Sequence, residues 1–305
     1  MLTHRLDSDA DPGRVVIVGA GGFIGRTLND RLDQAGIAVL PVDLPQYDLT
    51  LPDAGATLAA QLRPTDAVVF LSSLTPDRGR DAGTVRTNLA IAEGMLAALA
   101  GAPVAHLIYF STDGVYPFGR ALINEASPAA PTDSYGAMHL AREILARDLA
   151  DRQDLPLAVL RATLIFGGRD THNSYGPNRL RRMAARDGRI TLFGEGEEMR
   201  DHVYVGDVAR LILAVLRRRS SGLLNIASGR SVSYRRLAEL VAAQFPAAVE
   251  IAGGPRMQPV THRHFDVTAL RCAFPAFRFL PLEDGLALAH EEMRLHEDRA
   301  RDSNA

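Results

Sequence analysis

One cysteine in 305 residues excludes an internal disulfide and fits a reducing compartment. Nothing recognisable beside Cys272 would activate its thiol, so it is expected to be a small buried residue. The chain lacks any apolar run near the roughly 20 residues that span a bilayer, so no membrane partner is expected. It also lacks an excess of charge of either sign. Lys and Arg number 34 against 36 Asp and Glu, a formal net charge of −2. Nucleic acid therefore finds no dominant basic surface. The run Arg217-Arg218-Arg219 is short, follows a helical pattern and reads as a solvated helix end. No metal is expected: His262 and His264 flank Arg263 in an apparent strand, but no second ligand cluster accompanies them. No fixed-period repeat or low-complexity block occurs. Residues 1–12 are polar and acidic, unlike a signal peptide, and residues 1–13 read as a flexible leader. The charged stretch 291–305 reads as a fraying tail. The expected location is the cytoplasm.

What is present suffices for a full α/β core, since 47% of the residues are hydrophobic. Strand and helix signals alternate. Residues 15–18, 38–42, 66–71, 104–110 and 157–160 read as strands. Residues 24–35, 51–62, 84–99 and 135–151 read as the helices between them. Such alternation specifies βαβ units and a parallel sheet. Right-handed crossovers bring the C-terminal ends of the strands to one face, where a ligand belongs. After about residue 167 the pattern is less regular, with a helix near 180–186, a short strand at 190–193 and a helix at 205–217. The expected fold is a doubly wound parallel sheet over residues 14–166, mainly, with a smaller interleaved α/β lobe over 167–290.

The strand at 15–18 runs into Gly19-Ala20-Gly21-Gly22-Phe23-Ile24-Gly25, and a helical pattern (Ile24, Leu28, Leu32) follows. Glycines there allow a tight turn, a close backbone approach to a pyrophosphate and close packing of helix on strand. The helix N-terminus offers unpaired N–H groups to the phosphates. A second strand ends in Asp43, about 20 residues on, where a carboxylate accepts hydrogen bonds from a ribose diol and repels a 2′-phosphate. That favours NAD over NADP, while Arg26, just after Gly25, leaves NADP open.

Two further stretches carry chemistry. Leu107 to Phe110 is a buried strand ending in Ser111-Thr112-Asp113-Gly114-Val115-Tyr116, with its hydroxyls beside the crevice. Tyr135-Gly136-Ala137-Met138-His139 opens a helix, and the four-residue offset puts Tyr135 and His139 on one face. A tyrosine held between a hydroxyl and a cation can exchange a proton with an alcohol or carbonyl.

Together these residues resemble the extended short-chain dehydrogenase/reductase superfamily, in its nucleotide-sugar epimerase/dehydratase branch. Gly19, Gly22 and Gly25 match the GxxGxxG motif, and Phe110 to Tyr116 looks like the hydroxyl-bearing active-site strand. Glu125-Ala126-Ser127-Pro128 through Pro131 to Ala137 resembles the approach to the catalytic tyrosine. Leu192 to Gly196, Arg200 to Ala209 and Leu224 to Gly229 resemble the substrate-domain signature. The resemblance spans about residues 14 to 290. It implies a Rossmann sheet with a substrate lobe, NAD, a nucleoside-diphosphate sugar and a homodimer. It implies that Gly19, Gly21, Gly22, Phe23, Ile24, Gly25, Asp43, Leu71, Asn88, Tyr135 and His139 hold the cofactor. Tyr135 would be the general acid/base, with Thr112 on the reacting sugar oxygen and Asp113 and His139 beside them. Thr112, Asn178, Arg200 and Arg256 would contact the substrate, the two arginines as guanidinium forks on the diphosphate.

Three positions depart from that pattern. The family's lysine four residues after the tyrosine is His139, whose unperturbed pKa near ~6.5 leaves it neutral or charged according to its surroundings. The glutamate that follows Thr-Asp in sugar 4,6-dehydratases is Gly114, which removes the base for proton abstraction at C5 and disfavours water elimination. Leu164 stands where many epimerases carry asparagine. The expected activity is NAD-dependent C4 redox chemistry on a nucleoside-diphosphate sugar. Asp43 and the Arg-Asp signature make epimerisation the leading expectation; Leu164 and the Thr112-Asp113 pair favour the alternative, reduction of an NDP-4-keto-deoxysugar. A dinucleotide-binding regulator or scaffold, its turnover lost with the lysine, is the alternative of another class.

Overall fold

The structure, a computed structural model, describes residues 1–119, 122–170, 172, 176–256 and 258–302. The first part of the chain alternates through β1 (Thr3–His4), β2 (Arg14–Val18), α1 (Phe23–Gln34), β3 (Val39–Val42), α2 (Ala54–Ala59) and β4 (Asp66–Phe70). It continues through α3 (Ala82–Gly101), β5 (His106–Thr112), a single 3-10 turn (Asp113–Val115), α4 (Ser134–Gln153) and β6 (Leu157–Ala162). Then come β7 (Leu164–Phe166), α5 (Pro177–Asp187), β8 (Arg189–Phe193), β9 (Met199–Tyr204), α6 (Val205–Arg217) and β10 (Ser220–Ile226). The last elements are β11 (Ser231–Ser233), α7 (Tyr234–Ala242), β12 (Glu250–Gly254), α8 (Thr268–Ala273) and α9 (Leu282–Asp302).

Seven strands form the main sheet in the order β1-β10-β6-β5-β4-β2-β3, and every pair is parallel except β1 on β10. The alternation of side chains along β2 explains why helices cover both faces. Val15 and Ile17 join one core with Leu28 and Leu32 of α1 and Leu211 and Ile212 of α6. Val16 and Val18 join another with Leu58 of α2, Met95 and Leu99 of α3 and Leu149 of α4. Leu28 has no exposure, so truncating it to alanine is expected to cost about 2–5 kcal/mol. β2 lies between β3 and β4, so the connections leave it in opposite directions. A crevice opens at such a switch point, beyond the C-terminal end of β2. The smaller lobe carries the sheets β11-β9-β7 and β12-β8 and its own core of Leu180, Ile190, Leu192, Leu237 and Val241.

Several expectations need correction. The first residues are not a loose leader. Leu2 is buried, β1 pairs with β10, and both ring nitrogens of His4 are engaged, Nδ1 with Ser220 Oγ and Nε2 with the Ala273 carbonyl, each at 2.8 Å. A two-residue edge strand has no periodicity to read. The basic run at the end of α6 is not simply solvated: Arg217 pairs with Asp11 at 2.6 Å, and Arg218 lies 3.7 Å from Asp9. The charged tail continues α9 as far as Asp302, while Ser303 to Ala305 lie outside the described residues. The helix expected over 51–62 shortens to α2. Cys272 is exposed, because the six-residue α8 buries Ala269 and Leu270 instead. His262 and His264 lie outside any strand, with their rings stacked 6.3 Å apart. Among the described residues no cluster of His, Cys, Asp or Glu could hold a metal, and no helix is long and apolar enough to cross a membrane.

Candidate active site

The glycine turn lies at the end of β2. Gly19 has φ +94°, and a Cβ there would approach the Ser72 backbone nitrogen to 2.9 Å. A Cβ on Gly25 would meet the Gly19 carbonyl oxygen at 2.2 Å, so only glycine lets α1 pack this closely on the turn. Gly22 is the N-cap of α1 and provides no side-chain cap, which leaves the first N–H groups of the helix for a ligand. Asp43 reaches the turn from β3: Gly21 N donates to its Oδ2 at 2.5 Å and Leu44 N to its Oδ1 at 2.9 Å. Leu71 N donates to the Val18 carbonyl at 2.9 Å and ties the end of β4 beside the turn. Phe23 is buried, its ring 3.2 Å from where a Cβ on Gly167 would stand, and Ile24 is half-buried. Arg26 donates to the Arg169 carbonyl at 3.4 Å. Asn88 is buried on α3 and holds the segment that follows β4. Its Oδ1 accepts from Leu74 N at 2.8 Å, and its Nδ2 donates to the Leu74 carbonyl at 3.1 Å.

The turn that follows Thr112 packs on the start of α4, where Tyr135 stands. A Cβ on Gly136 would meet the Gly114 carbonyl oxygen at 2.1 Å. Asp133 caps α4, accepting from Gly136 N at 2.8 Å, which fixes the start of the helix and puts Tyr135 in its first turn. Thr112 Oγ1 accepts from Gly114 N at 3.1 Å. The Tyr135 and His139 rings meet edge to face with centroids 4.7 Å apart, as their spacing predicts. Burial pushes the Tyr135 phenol up to about 12, against the opposing charge of Arg142.

β5 locks the next turn of the helix. Tyr109 and Ser111 share one face of the strand, and His139 and Glu143 lie one turn apart on α4. The Tyr109 hydroxyl lies 2.7 Å from His139 Nδ1, and Ser111 Oγ donates to Glu143 at 2.6 Å. Arg161 completes that site with a two-pronged bond to Glu143, at 2.9 and 2.7 Å. His139 is 3% exposed, and its Nε2 has no protein partner. Burial, then the nearby Arg142, hold His139 well below the ordinary imidazole pKa, so it is neutral at pH 7. An uncapped helix N-terminus over a glycine cradle, together with one buried unpartnered ring nitrogen, fits a dinucleotide.

On the opposite side, Arg263 pairs with Asp113 at 3.0 Å and donates to the Tyr116 carbonyl at 2.9 Å. Burial pushes the Asp113 carboxyl up, and Arg263 and Arg200 oppose that shift. Arg200 donates to the Thr261 carbonyl at 2.6 Å and to Thr261 Oγ1 at 2.7 Å, and pairs with neither Asp201 nor Asp207. Arg256 is held by Glu197 and Glu198. Asn178 is buried, its amide donating to the Gly167 carbonyl at 2.9 Å and to Asp170 at 2.6 Å. Tyr109, Arg142 and Arg263 are the residues that sequence reasoning missed. The alternation of Tyr109 with Ser111 was a usable signal for the first, and the inward parity of Arg263 between two histidines for the last.

A family model described as the NAD dependent epimerase/dehydratase family matches residues 15–227. The chain belongs to that family. It is 31% identical to the dTDP-4-dehydrorhamnose reductase of Mycolicibacterium smegmatis over 216 residues, 70% of this chain and 62% of that protein, short of two thirds of the relative's length. It is 27% identical to the dTDP-6-deoxy-L-talose 4-dehydrogenase (NAD(P)(+)) of Kitasatospora kifunensis over 292 residues, 85% of this chain and 89% of that one. Among solved structures, MoeE5 in complex with UDP-glucose and NAD is 27% identical, with a TM-score of 0.80 over 93% of this chain and 99% of that chain.

This chain contains no lysine anywhere. All 34 basic residues of the Lys and Arg count are arginine.

Proposed function

We propose that this family member carries out NAD-dependent redox chemistry at C4 of a nucleoside-diphosphate sugar, in the direction that reduces a 4-ketone. The observation that carries this reading is the placement of Tyr135 in the first turn of α4, its ring edge to face with the buried His139 one turn on, in surroundings that keep the phenol protonated. A protonated phenol is an acid, and a ketone oxygen under reduction needs a proton. Thr112 supports the same oxygen: its Oγ already accepts from Gly114 N, which leaves its own O–H to donate. When bound, the nicotinamide supplies the two-electron reduction. In the tautomer whose Nδ1 accepts from the Tyr109 hydroxyl, the neutral His139 ring carries its proton on Nε2, a donor suited to a ribose hydroxyl. The turn from Gly19 to Gly25 and the open N-terminus of α1 suit the pyrophosphate, and Asp43 suits an unphosphorylated adenosine ribose. Arg200 and Asn178 are the proposed contacts on the sugar-nucleotide side. Arg256 must exchange Glu197 and Glu198 for a diphosphate to join them. Both relatives named above are, by name, enzymes of position 4 of a dTDP-deoxysugar.

Epimerisation is the second reading, supported by Asp43, since retention of NAD through both half-reactions suits an enzyme that inverts C4. Ile144 and Leu145, exposed on α4, support association with a second copy. The lone cysteine suits a cytoplasmic location.

The test is incubation with NADH and a series of NDP-4-keto-6-deoxyhexoses, following NADH absorbance and the product by NMR. A parallel series uses NDP-hexoses without added cofactor, reading inversion at C4. Reduction of a 4-ketone, lost in Tyr135→Phe, supports the first reading. Inversion alone supports the second. Tight cofactor binding with neither reaction overturns both and leaves the regulator or scaffold.

A further inference from the structure

We infer that Arg142 is the positioning residue that supplies the buried positive charge against which Tyr135 exchanges its proton, in a chain with no lysine to do so. The inference rests on Tyr135 being the proton-transfer group.

Tyr135, His139 and Arg142 follow one face of α4 at intervals of four and three residues. Arg142 is 2% exposed. Its guanidinium carbon lies 4.4 Å from the centroid of the Phe70 ring and 5.4 Å from that of Tyr109. Its Nη2 donates to the Ser72 carbonyl at 2.8 Å, its Nη1 lies 4.0 Å from Met138 Sδ, and its Nε has no partner. Among the described residues no carboxylate pairs with it. Glu143, its neighbour in sequence, is occupied by Arg161, Arg147 and Ser111. A buried guanidinium that meets only aromatic faces and one carbonyl keeps its field, because no counter-charge cancels it. That field reaches the site through stacked groups: Arg142 on the Tyr109 ring, the Tyr109 hydroxyl on His139 Nδ1, and the His139 ring against Tyr135. The bond to Ser72 fixes the charge beside the cradle, since Ser72 is the residue that Gly19 packs against.

The other charged groups around Tyr135 oppose its ionisation. Asp113, Asp133 and Asp77 act in that direction, and each has its own partner: Arg263, Gly136 N and His172 respectively. On α3, which packs against α4, Arg86 and Glu93 are exposed. Burial raises Tyr109 and Tyr135, and Arg142 is the largest influence lowering either phenol.

The experiment reads the phenol directly and does not need a substrate. The protein is labelled with 3-fluorotyrosine, and the Tyr135 signal is assigned by its loss in Tyr135→Phe. It is then titrated by fluorine NMR in the native protein and in Arg142→Met, Arg142→Gln and Arg142→Lys. Met retains the packing on Phe70, and Gln retains a donor for the Ser72 carbonyl, so one folded neutral variant suffices. The neutral variants are expected to titrate about one pH unit or more higher than native, and Arg142→Lys close to native. Equal titration in native and neutral variants overturns the inference. So does an equal upward shift in Arg142→Lys, which would mark a steric effect. A second arm measures the pH dependence of kcat/KM for oxidation of the 4-alcohol, whose rising limb should move up with the phenol. Absence of turnover on any NDP-sugar would count against the proposed function and leave the fluorine titration as the judge of Arg142.

Discussion

His139 Nδ1 lies 2.7 Å from the Tyr109 hydroxyl, while its other ring nitrogen, Nε2, is buried without a protein partner. A strand contact thus fixes the ring and leaves one nitrogen for a ligand. The same strand face seats Glu143 one helical turn later through Ser111. β5 therefore sets the rotation of α4 about its own axis. An unpaired polar nitrogen in such a place costs about 1–3 kcal/mol, which a bound ribose hydroxyl would recover.

Tyr135→Phe removes the proton without removing the ring that packs on His139. Its kcat is expected to fall by about 10²–10⁴-fold, the usual contribution of a positioned acid/base. Cofactor affinity should stay within a few-fold. Steady-state kinetics and a fluorescence titration of NADH check the two halves, and an undiminished kcat would remove Tyr135 from the chemistry.

Asp43 accepts from Gly21 N at the glycine turn, the proposed cofactor cradle, where a 2′-phosphate would bring negative charge against it. NAD should bind more tightly than NADP. Asp43→Ala should narrow the ratio, by weakening NAD and relieving NADP. Calorimetric titration of both dinucleotides checks this. Tighter NADP binding by the native protein would instead implicate Arg26.

Periodic features were legible in the sequence, and features set by distant pairing were not. The βαβ alternation, the turn from Gly19 to Gly25 and the Tyr135–His139 pair depend on local patterns, and each appears where the pattern puts it. β1 escaped because two residues carry no period and its strand partner lies more than 200 positions away, Thr3 opposite Ser221. Arg263 escaped for the same reason: its carboxylate partner, Asp113, is 150 positions earlier. Arg142 reads in isolation as an exposed helix arginine, and only the packing of α4 on β4 and β5 buries it. The charge state of His139 depends on that packing too.

No 4,6-dehydration is expected. Gly114 carries no carboxylate, a Cβ there would stand 3.4 Å from Thr112 Oγ1, and the neighbouring Asp113 is engaged by Arg263. Incubation with dTDP-glucose or another NDP-hexose, read by NMR, should yield no 4-keto-6-deoxy product. Its appearance would require a base that the site does not present.

Acid should destabilise the fold as pH falls below 6.5, through its buried histidines. Burial lowers His106 from 6.5 to about 4, and His202 and His139 shift the same way. A folded pKa below the unfolded one means that the unfolded chain takes up the proton first. The stability is therefore fully present above pH 6.5 and is lost as pH falls towards 4. His106 alone should account for about 3 kcal/mol of that loss. Urea unfolding across this range should show it, and His106→Gln, which can still donate to the Ser220 carbonyl, should flatten the slope. An unchanged slope in that variant would mean His106 does not titrate as its burial requires.

From sequence alone, His139→Lys looks like a restoration of the family pattern. The structure reverses that expectation. Position 139 is 3% exposed and one turn from Arg142, which is 2% exposed. A lysine there would set a second cation in the same pocket and take from the buried Tyr109 hydroxyl its partner, His139 Nδ1. Like charges in low dielectric oppose each other, and an unmatched hydroxyl adds to the penalty. His139→Lys alone should lower unfolding free energy by about 1–3 kcal/mol without raising activity near neutral pH. Combined with Arg142→Met, the lysine becomes the single buried cation beside Tyr135. The double variant should then regain part of the stability and exceed both single variants in kcat at neutral pH. The double-mutant cycle should show a coupling of roughly 0.5–3 kcal/mol. Strict additivity in both stability and rate would mean that positions 139 and 142 do not share one charge, and the electrostatic account of Tyr135 would fall with it.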